Sequence, residues 1–151
     1  MTAVRPARAG EAAALSALAL RSKGHWGYDA DFLAACRAEL TLTETDLAPR
    51  RTLVAESGGR VAGFGTLEGA PPYGELGMLF VEPDLVGRGV GAVLLAALVE
   101  RARAAGFVRL AIDADPHAEG FYLARGAVRV GTVASASIPG RVLPQLELAV
   151  G

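Results

Sequence analysis

The chain has few of the residues on which several large classes of protein depend. Of its 151 residues one is a cysteine (Cys36), one is a lysine (Lys23), and the formal net charge is −1. A single cysteine excludes an internal disulfide and a cysteine metal cluster, so we expect Cys36 to be a small buried residue and expect no metal. The nearly neutral charge argues against nucleic acid or an anionic membrane as a partner.

Long apolar segments are also missing. No run approaches the roughly 18 residues of a membrane-spanning helix, and the first residues lack the regions of a signal peptide. These absences predict a cytoplasmic protein. The arginine-rich, lysine-poor composition is typical of GC-rich, bacterial-like coding, and an apolar fraction of 52% is ample for a core. The length suits one domain over residues 1–151.

The apolar patterns in the first half of the chain predict strands and helices in alternation. TAVRPA is expected to be a strand, followed by helices over residues 9–21 and from an Asp29 or Asp31 cap to about residue 40. The KGHWGY stretch between the helices breaks the helical pattern. RTLVAES and GRVAGFGTLEG flank Gly58-Gly59 as a hairpin, and ELGMLFVE is a third strand that ends at Pro83.

The second half predicts a βαβ unit and a final strand pair. AVLLAALVERARAAG places Leu94, Leu98 and Ala102 on one helix face, and FVRLAIDAD follows as a strand parallel to the third. Asp115-Pro116 is expected to cap a short helix, and AVRVGTVAS and LPQLELAV to pair antiparallel. The patterns therefore predict a mixed α/β fold with one sheet of about seven strands and about four helices.

The stretch VGRGVG, residues 86–91, has glycine at every second position between a strand and a helix. Glycines there let backbone N–H groups approach a ligand, and a helix N-terminus favours phosphate. The spacing lacks the lysine of a nucleoside-triphosphate P-loop. It also differs from the GxGxxG of a dinucleotide fold, although Asp113 at the end of the next strand keeps a dinucleotide site as an alternative. A tight turn without a ligand is the remaining alternative.

Two segments resemble the GCN5-related N-acetyltransferase (GNAT) family. LFVEPDLVGRGVGAVLLAAL resembles its acetyl-coenzyme A (acetyl-CoA) motif, with a V-x-P corner and a Q/R-x-x-G-x-G/A loop opening a helix. DADPHAEGFYLARGA resembles its N-x-x-A-x-x-F/L-Y-x-x-x-G-F/A segment. Val86 replaces the family's Gln or Arg, and Asp115 its frequent Asn. The resemblance implies one GNAT-like domain with a mostly antiparallel sheet and one splayed parallel pair.

The resemblance also implies which residues hold acetyl-CoA. Backbone amides would hold the pyrophosphate, strand residues would pair with the pantetheine arm, and two side chains after the next strand would contact the cofactor. The amides are those of Val86, Gly87, Arg88, Gly89, Val90 and Gly91. The strand residues are Leu79, Phe80 and Val81, and the two side chains are those of Asp115 and Phe121.

Acetyl transfer to an amine needs a proton acceptor, an oxyanion donor and a proton donor for the thiolate. Tyr122 matches the family tyrosine that protonates the thiolate, and a phenol with pKa of about 10 keeps its proton at neutral pH. Glu75 matches a glutamate that activates the amine, directly or through water, in histone-acetylating members. His117 and His25 are rival bases, and an N–H near Val81 would serve the oxyanion. No motif places a nucleophile, so direct transfer in a ternary complex is expected.

The acceptor is expected to be the primary amine of a small molecule, with no nucleic acid or membrane as partner and a homodimer left open. Trp26 and Tyr28 would form an aromatic wall or simply anchor their loop, and Arg141 would pair with a substrate carboxylate or stay solvated. A non-catalytic acyl-CoA binding or sensing module and a dinucleotide-binding oxidoreductase are the rival functions. The sequence identifies neither the amine nor the acyl group.

Overall fold

The alternating apolar segments form strands that join into one seven-stranded sheet. A computed structural model describes residues 2–151. In it the sheet order is β1-β2-β3-β4-β5-β7-β6, with β4 and β5 parallel and every other neighbouring pair antiparallel. This confirms the predicted fold class. The strands are β1 (Thr2–Pro6), β2 (Leu53–Ser57), β3 (Arg60–Ala70), β4 (Tyr73–Val81), β5 (Arg109–Asp113), β6 (Val128–Ala134) and β7 (Val142–Ala149).

Residues 2–151 contain four α-helices, and three of them differ from the sequence-based bounds. The helices are α1 (Ala12–Gly24), α2 (Ala30–Cys36), α3 (Val90–Ala105) and α4 (Glu119–Leu123). The three that differ are α1, α2 and α4; α2 ends at Cys36, short of the predicted end near residue 40. The break expected at Lys23-Gly24 is wrong because α1 continues to Gly24. Asp29 is the cap of α2 and accepts the N–H of Phe32 at 2.8 Å. The longest helix, α3, has 16 residues, and no helix in residues 2–151 has the length and hydropathy to cross a bilayer.

The predicted cap at Asp115 is wrong, because α4 begins only at Glu119 and is preceded by Ala118. The Asp115 carboxylate does accept the backbone N–H of His117 at 2.9 Å. It also accepts hydrogen bonds from Lys23 in the last turn of α1 and from Tyr28, which lies between α1 and α2. The Asp115 carboxylate therefore binds side chains from distant parts of the chain and does not cap α4.

The sheet separates two apolar cores. Leu94, Leu98 and Ala102 of α3 are fully buried against one face, as their spacing predicts. The other face packs against α1 and α2, where Cys36 is buried as expected. These two layers fix β4 and its neighbours in the middle of the molecule, which is where the sheet opens.

The opening in the sheet lies between the two parallel strands. β4 and β5 pair at only three positions, from Tyr73 opposite Arg109 to Glu75 opposite Ala111. Beyond Glu75, β4 continues to Val81 in register with β3 alone, and a bulge leaves Gly77 without an opposing residue. The two strands therefore splay, and the β5-facing edge of the last part of β4 is left unpaired. The crossover between them is α3, which starts beside the gap.

Candidate active site

The gap between β4 and β5 opens into a cavity of about 540 Å³. Most residues expected to hold the cofactor line this one cavity: Leu79, Phe80, Val81, Val86, Gly87, Gly89, Val90, Gly91, Asp115 and Phe121. Arg88 is exposed and does not line it. Residues far apart in the sequence thus converge on a single cleft at the carboxyl ends of two parallel strands.

The glycine loop presents free backbone donors to this cleft. The N–H groups of Val86 and Arg88 donate to Pro83 and Leu85 carbonyls at 3.4 and 3.2 Å, respectively. Within residues 2–151 the N–H groups of Gly87, Gly89, Val90 and Gly91 have no hydrogen-bond acceptor. Four unsatisfied donors at the start of a 16-residue helix form a site that favours an anion.

The alternating glycines serve two different purposes. Gly87 and Gly89 both have φ of +84°, a left-handed conformation that other residues adopt at a cost. A Cβ on either would meet no protein atom within 4 Å, so the space beside the loop is open. Gly91 instead allows close packing, because a Cβ there would lie 3.3 Å from the Phe121 ring, closer than an ordinary van der Waals contact. The Phe121 ring thus packs α4 against the start of α3.

Tyr122 brings an unpaired hydroxyl to the same cleft. The side chain is only 6% exposed, yet its hydroxyl makes no hydrogen bond to any residue of the described range 2–151. Among the fully buried side-chain N and O atoms of residues 2–151, only Thr52 Oγ1 lacks a partner, so the unpaired Tyr122 hydroxyl is accessible from the cleft and free to bind a ligand there. Burial raises the pKa of the Tyr122 phenol, so it is protonated over the whole neutral range.

Glu75 lies outside this cleft. It sits on β4 at the last position paired with β5, and it does not line the cavity. Partial burial, together with the negative charges of Asp113 and Glu68, raises the pKa of its carboxyl. A carboxylate with a raised pKa is a better base than an ordinary one, but a proton from the cleft would have to reach it through water.

Asp115 joins three segments of the chain. Its carboxylate accepts Lys23 Nζ at 2.7 Å and Tyr28 Oη at 3.0 Å, and Arg141 lies 3.6 Å away. Arg141 also donates to Tyr28 Oη at 2.7 Å. Burial and the Asp115 carboxylate raise the pKa of Tyr28 to about 12. The residues between α1 and α2 are thereby fastened beside the cleft.

The three residues expected at the acceptor site have different positions. Trp26 lines the cavity and is 39% exposed. Tyr28 and Arg141 do not line it, and both bind the Asp115 cluster. The side chain of Tyr28 also stacks on Phe32, with ring centroids 4.0 Å apart.

Lys23 and Arg125 both line the cleft, and neither was assigned a role from the sequence. Lys23 is 8% exposed and bound to Asp115, 92 positions away, which no local pattern could indicate. Arg125 lines the cavity with its guanidinium 4.0 Å from the Phe121 ring centroid. The sequence signal for Arg125 is its position one residue before Gly126, which places a cation within the second segment that resembles the family.

Comparison with known proteins places this fold in a family. The model of the acetyltransferase (GNAT) family matches residues 19–127. A GCN5-related N-acetyltransferase from Rhodopseudomonas palustris is 31% identical, with a TM-score of 0.80 over 99% of this chain and 96% of that one. No curated protein matches the chain significantly.

Two more distant structures share the fold. The PaiA N-acetyltransferase from Thermoplasma acidophilum, solved with coenzyme A, has a TM-score of 0.77 at 15% identity over 99% of both chains. The yncA protein from Salmonella typhimurium, solved with its cofactor acetyl-CoA, has a TM-score of 0.70 at 22% identity over 100% of this chain and 95% of its own. With the family model covering well over half of its length, this chain belongs to the GNAT acetyltransferase family.

Proposed function

We propose that this protein is an acetyl-CoA-dependent N-acetyltransferase that acts directly on the primary amine of a small molecule. One observation carries the proposal: the free amides of the glycine loop, the unpaired edge of β4 and the Tyr122 side chain all line a single cavity. The solved relatives that hold coenzyme A or acetyl-CoA in the same fold support the choice of donor. We further propose that residues 1–151 act as one domain in the cytoplasm, independent of nucleic acid and membrane.

The residues of the cleft fit coenzyme A along its length. The amides of Gly87, Gly89, Val90 and Gly91 suit the pyrophosphate, and no Cβ of the first two obstructs it. The free edge of Leu79–Val81 suits the amides of the pantetheine arm, as a sheet edge pairs with an added strand. Arg125 and the exposed Arg88 could reach the charged end of the nucleotide.

In this proposal Tyr122 is the acid. The amine attacks the thioester carbonyl, an N–H near Val81 stabilises the oxyanion, and the phenol protonates the departing thiolate. A phenol that is buried and has no protein partner is free to donate to the ligand. Two groups are candidates for the base, and the first is Glu75, which would act through water and whose carboxyl has a raised pKa. His117, which lines the cavity, is its rival.

For the acceptor, we propose that Trp26 provides an apolar wall. Its indole is partly exposed in the cavity, whereas Tyr28 and Arg141 face each other and Asp115. The expected pairing of Arg141 with a substrate carboxylate stays a prediction, and it would require Arg141 to share its charge with Asp115.

The proposal is tested by binding and turnover measured in parallel. Calorimetry should show saturable binding of acetyl-CoA and none of NAD, and a panel of primary amines should reveal thiol release above the amine-free background. Binding of acetyl-CoA without thiol release on any amine would favour the non-catalytic binding module. Preferential binding of NAD would contradict the assignment of the cleft.

A further inference from the structure

Asp115 and His117 form a carboxylate–imidazole pair in the loop that precedes α4. His117 Nδ1 lies 2.9 Å from Asp115 Oδ1, which also accepts the His117 backbone N–H at 2.9 Å. Burial opposes ionisation of the Asp115 carboxyl, but hydrogen bonds from Lys23 and from the His117 N–H outweigh it and hold the pKa well below its usual range. The carboxylate therefore faces Nδ1 as an anion at neutral pH.

The imidazole ring is held in one orientation. It stacks on Trp26 with centroids 5.1 Å apart and an interplanar angle of 7°, and it meets Tyr28 edge-on at 5.5 Å. Nδ1 lies 2.9 Å from Asp115 Oδ1 and 3.1 Å from Tyr28 Oη. Because the ionised carboxylate can only accept, it favours a proton on Nδ1, and the neutral ring then carries its lone pair on Nε2. Across residues 2–151, Nε2 has no hydrogen-bond partner. The ring thus presents a free base nitrogen.

This base nitrogen belongs to a residue that lines the cleft, as do Trp26 and Tyr122. Glu75, by contrast, is absent from the lining, and Lys23 is bound as a cation to Asp115. We infer that His117, oriented by Asp115, is the group that takes the proton from the acceptor amine. The inference rests on the proposed acetyltransferase function and assigns its base.

The proton balance is complete with these two side chains. The substrate ammonium gives its first proton to Nε2 of His117, and the resulting amine forms the new C–N bond. When the C–S bond breaks, Tyr122 gives a proton to the thiolate and recovers one from the amide nitrogen. His117 then releases its proton to water, so each turnover yields an amide, a thiol and one proton.

Titratable and charged groups from several segments surround His117. These are Lys23 of α1, Tyr28 of the segment between α1 and α2, Asp115 on its own loop, and Arg141 between β6 and β7. Any pH profile must therefore be compared between variants that leave these groups in place.

The test compares three glutamine variants on whichever amine the wild type turns over best. His117→Gln should lower kcat/KM by about 100-fold, as expected for loss of a general base. It should also remove the acidic limb of the pH profile. Glu75→Gln should keep that limb, and His25→Gln, outside the cavity, should stay within about two-fold of wild type in kcat/KM. Calorimetry should show unchanged acetyl-CoA affinity in all three.

A second variant separates chemistry from folding. Added imidazole should restore part of the activity of His117→Ala, which a purely structural histidine would not allow. Unchanged kcat/KM and an unchanged pH profile in His117→Gln, or loss of the acidic limb in Glu75→Gln alone, would overturn the inference while leaving the acetyltransferase proposal intact. No thiol release by the wild type on any amine would overturn both.

Discussion

Replacing Tyr122 by phenylalanine removes one oxygen from the lining of the cleft. The side chain is 6% exposed, and its hydroxyl has no hydrogen-bond partner within residues 2–151. A typical hydrogen bond contributes about 1 kcal/mol to stability, and here no intramolecular bond is lost. The ring keeps its contacts with Phe121, whose centroid lies 5.2 Å away. We therefore expect the free energy of unfolding to change by less than about 1 kcal/mol.

The effect on catalysis should be much larger. Proton transfer by a positioned side chain contributes about 10²–10⁴ to the rate, so the Tyr122→Phe variant should lose at least about 100-fold in kcat. That loss corresponds to about 2.7 kcal/mol of transition-state stabilisation. Affinity for acetyl-CoA should change little, because the phenol is needed only when the thiolate departs.

The assay is thiol release on the amine that the wild type turns over best, with unfolding in denaturant measured alongside. Tyr73→Phe is the matched control, since Tyr73 is 63% exposed and does not line the cavity; it should stay within about two-fold of wild type in kcat, as surface substitutions do. Wild-type kcat in the Tyr122 variant would refute the acid role. A loss of stability of several kcal/mol would refute the structural reasoning.

Three further outcomes are expected. Gly89→Ala should weaken acetyl-CoA binding at least ten-fold in calorimetry and cost roughly 1 kcal/mol of stability, because φ is +84°. Gly10→Ala, with φ of +90° far from the cleft, should cost similar stability and leave binding unchanged; equal binding by the two variants would contradict the loop assignment. Asp115→Asn should lower the free energy of unfolding at pH 7 by about 3 kcal/mol, since Lys23 loses its buried partner. The Asp115 pKa is lowered on folding, so its contribution is present above about pH 4 and is lost as the pH falls; the variant should show a weaker acid dependence in urea titrations.

The sequence determined the parts of this protein that depend on neighbouring residues. The glycine loop, the apolar face of α3 and the hairpin at Gly58-Gly59 were all predictable, because glycine spacing and apolar periodicity act on the local backbone. The acid role predicted for Tyr122 came instead from the resemblance of its segment to the family, since local pattern alone favours an ordinary core tyrosine. The family itself followed from two such contiguous segments.

Only the tertiary structure decided which side chains share the cleft. Glu75 lies beside the splayed strands yet outside the cavity, whereas His117 lines it. Asp115 was expected to cap a helix but instead holds Lys23, 92 positions earlier in the chain. Packing of the helices against the sheet brings such distant partners together. A local sequence pattern determines the backbone conformation of its own segment but not the distance between that segment and the others.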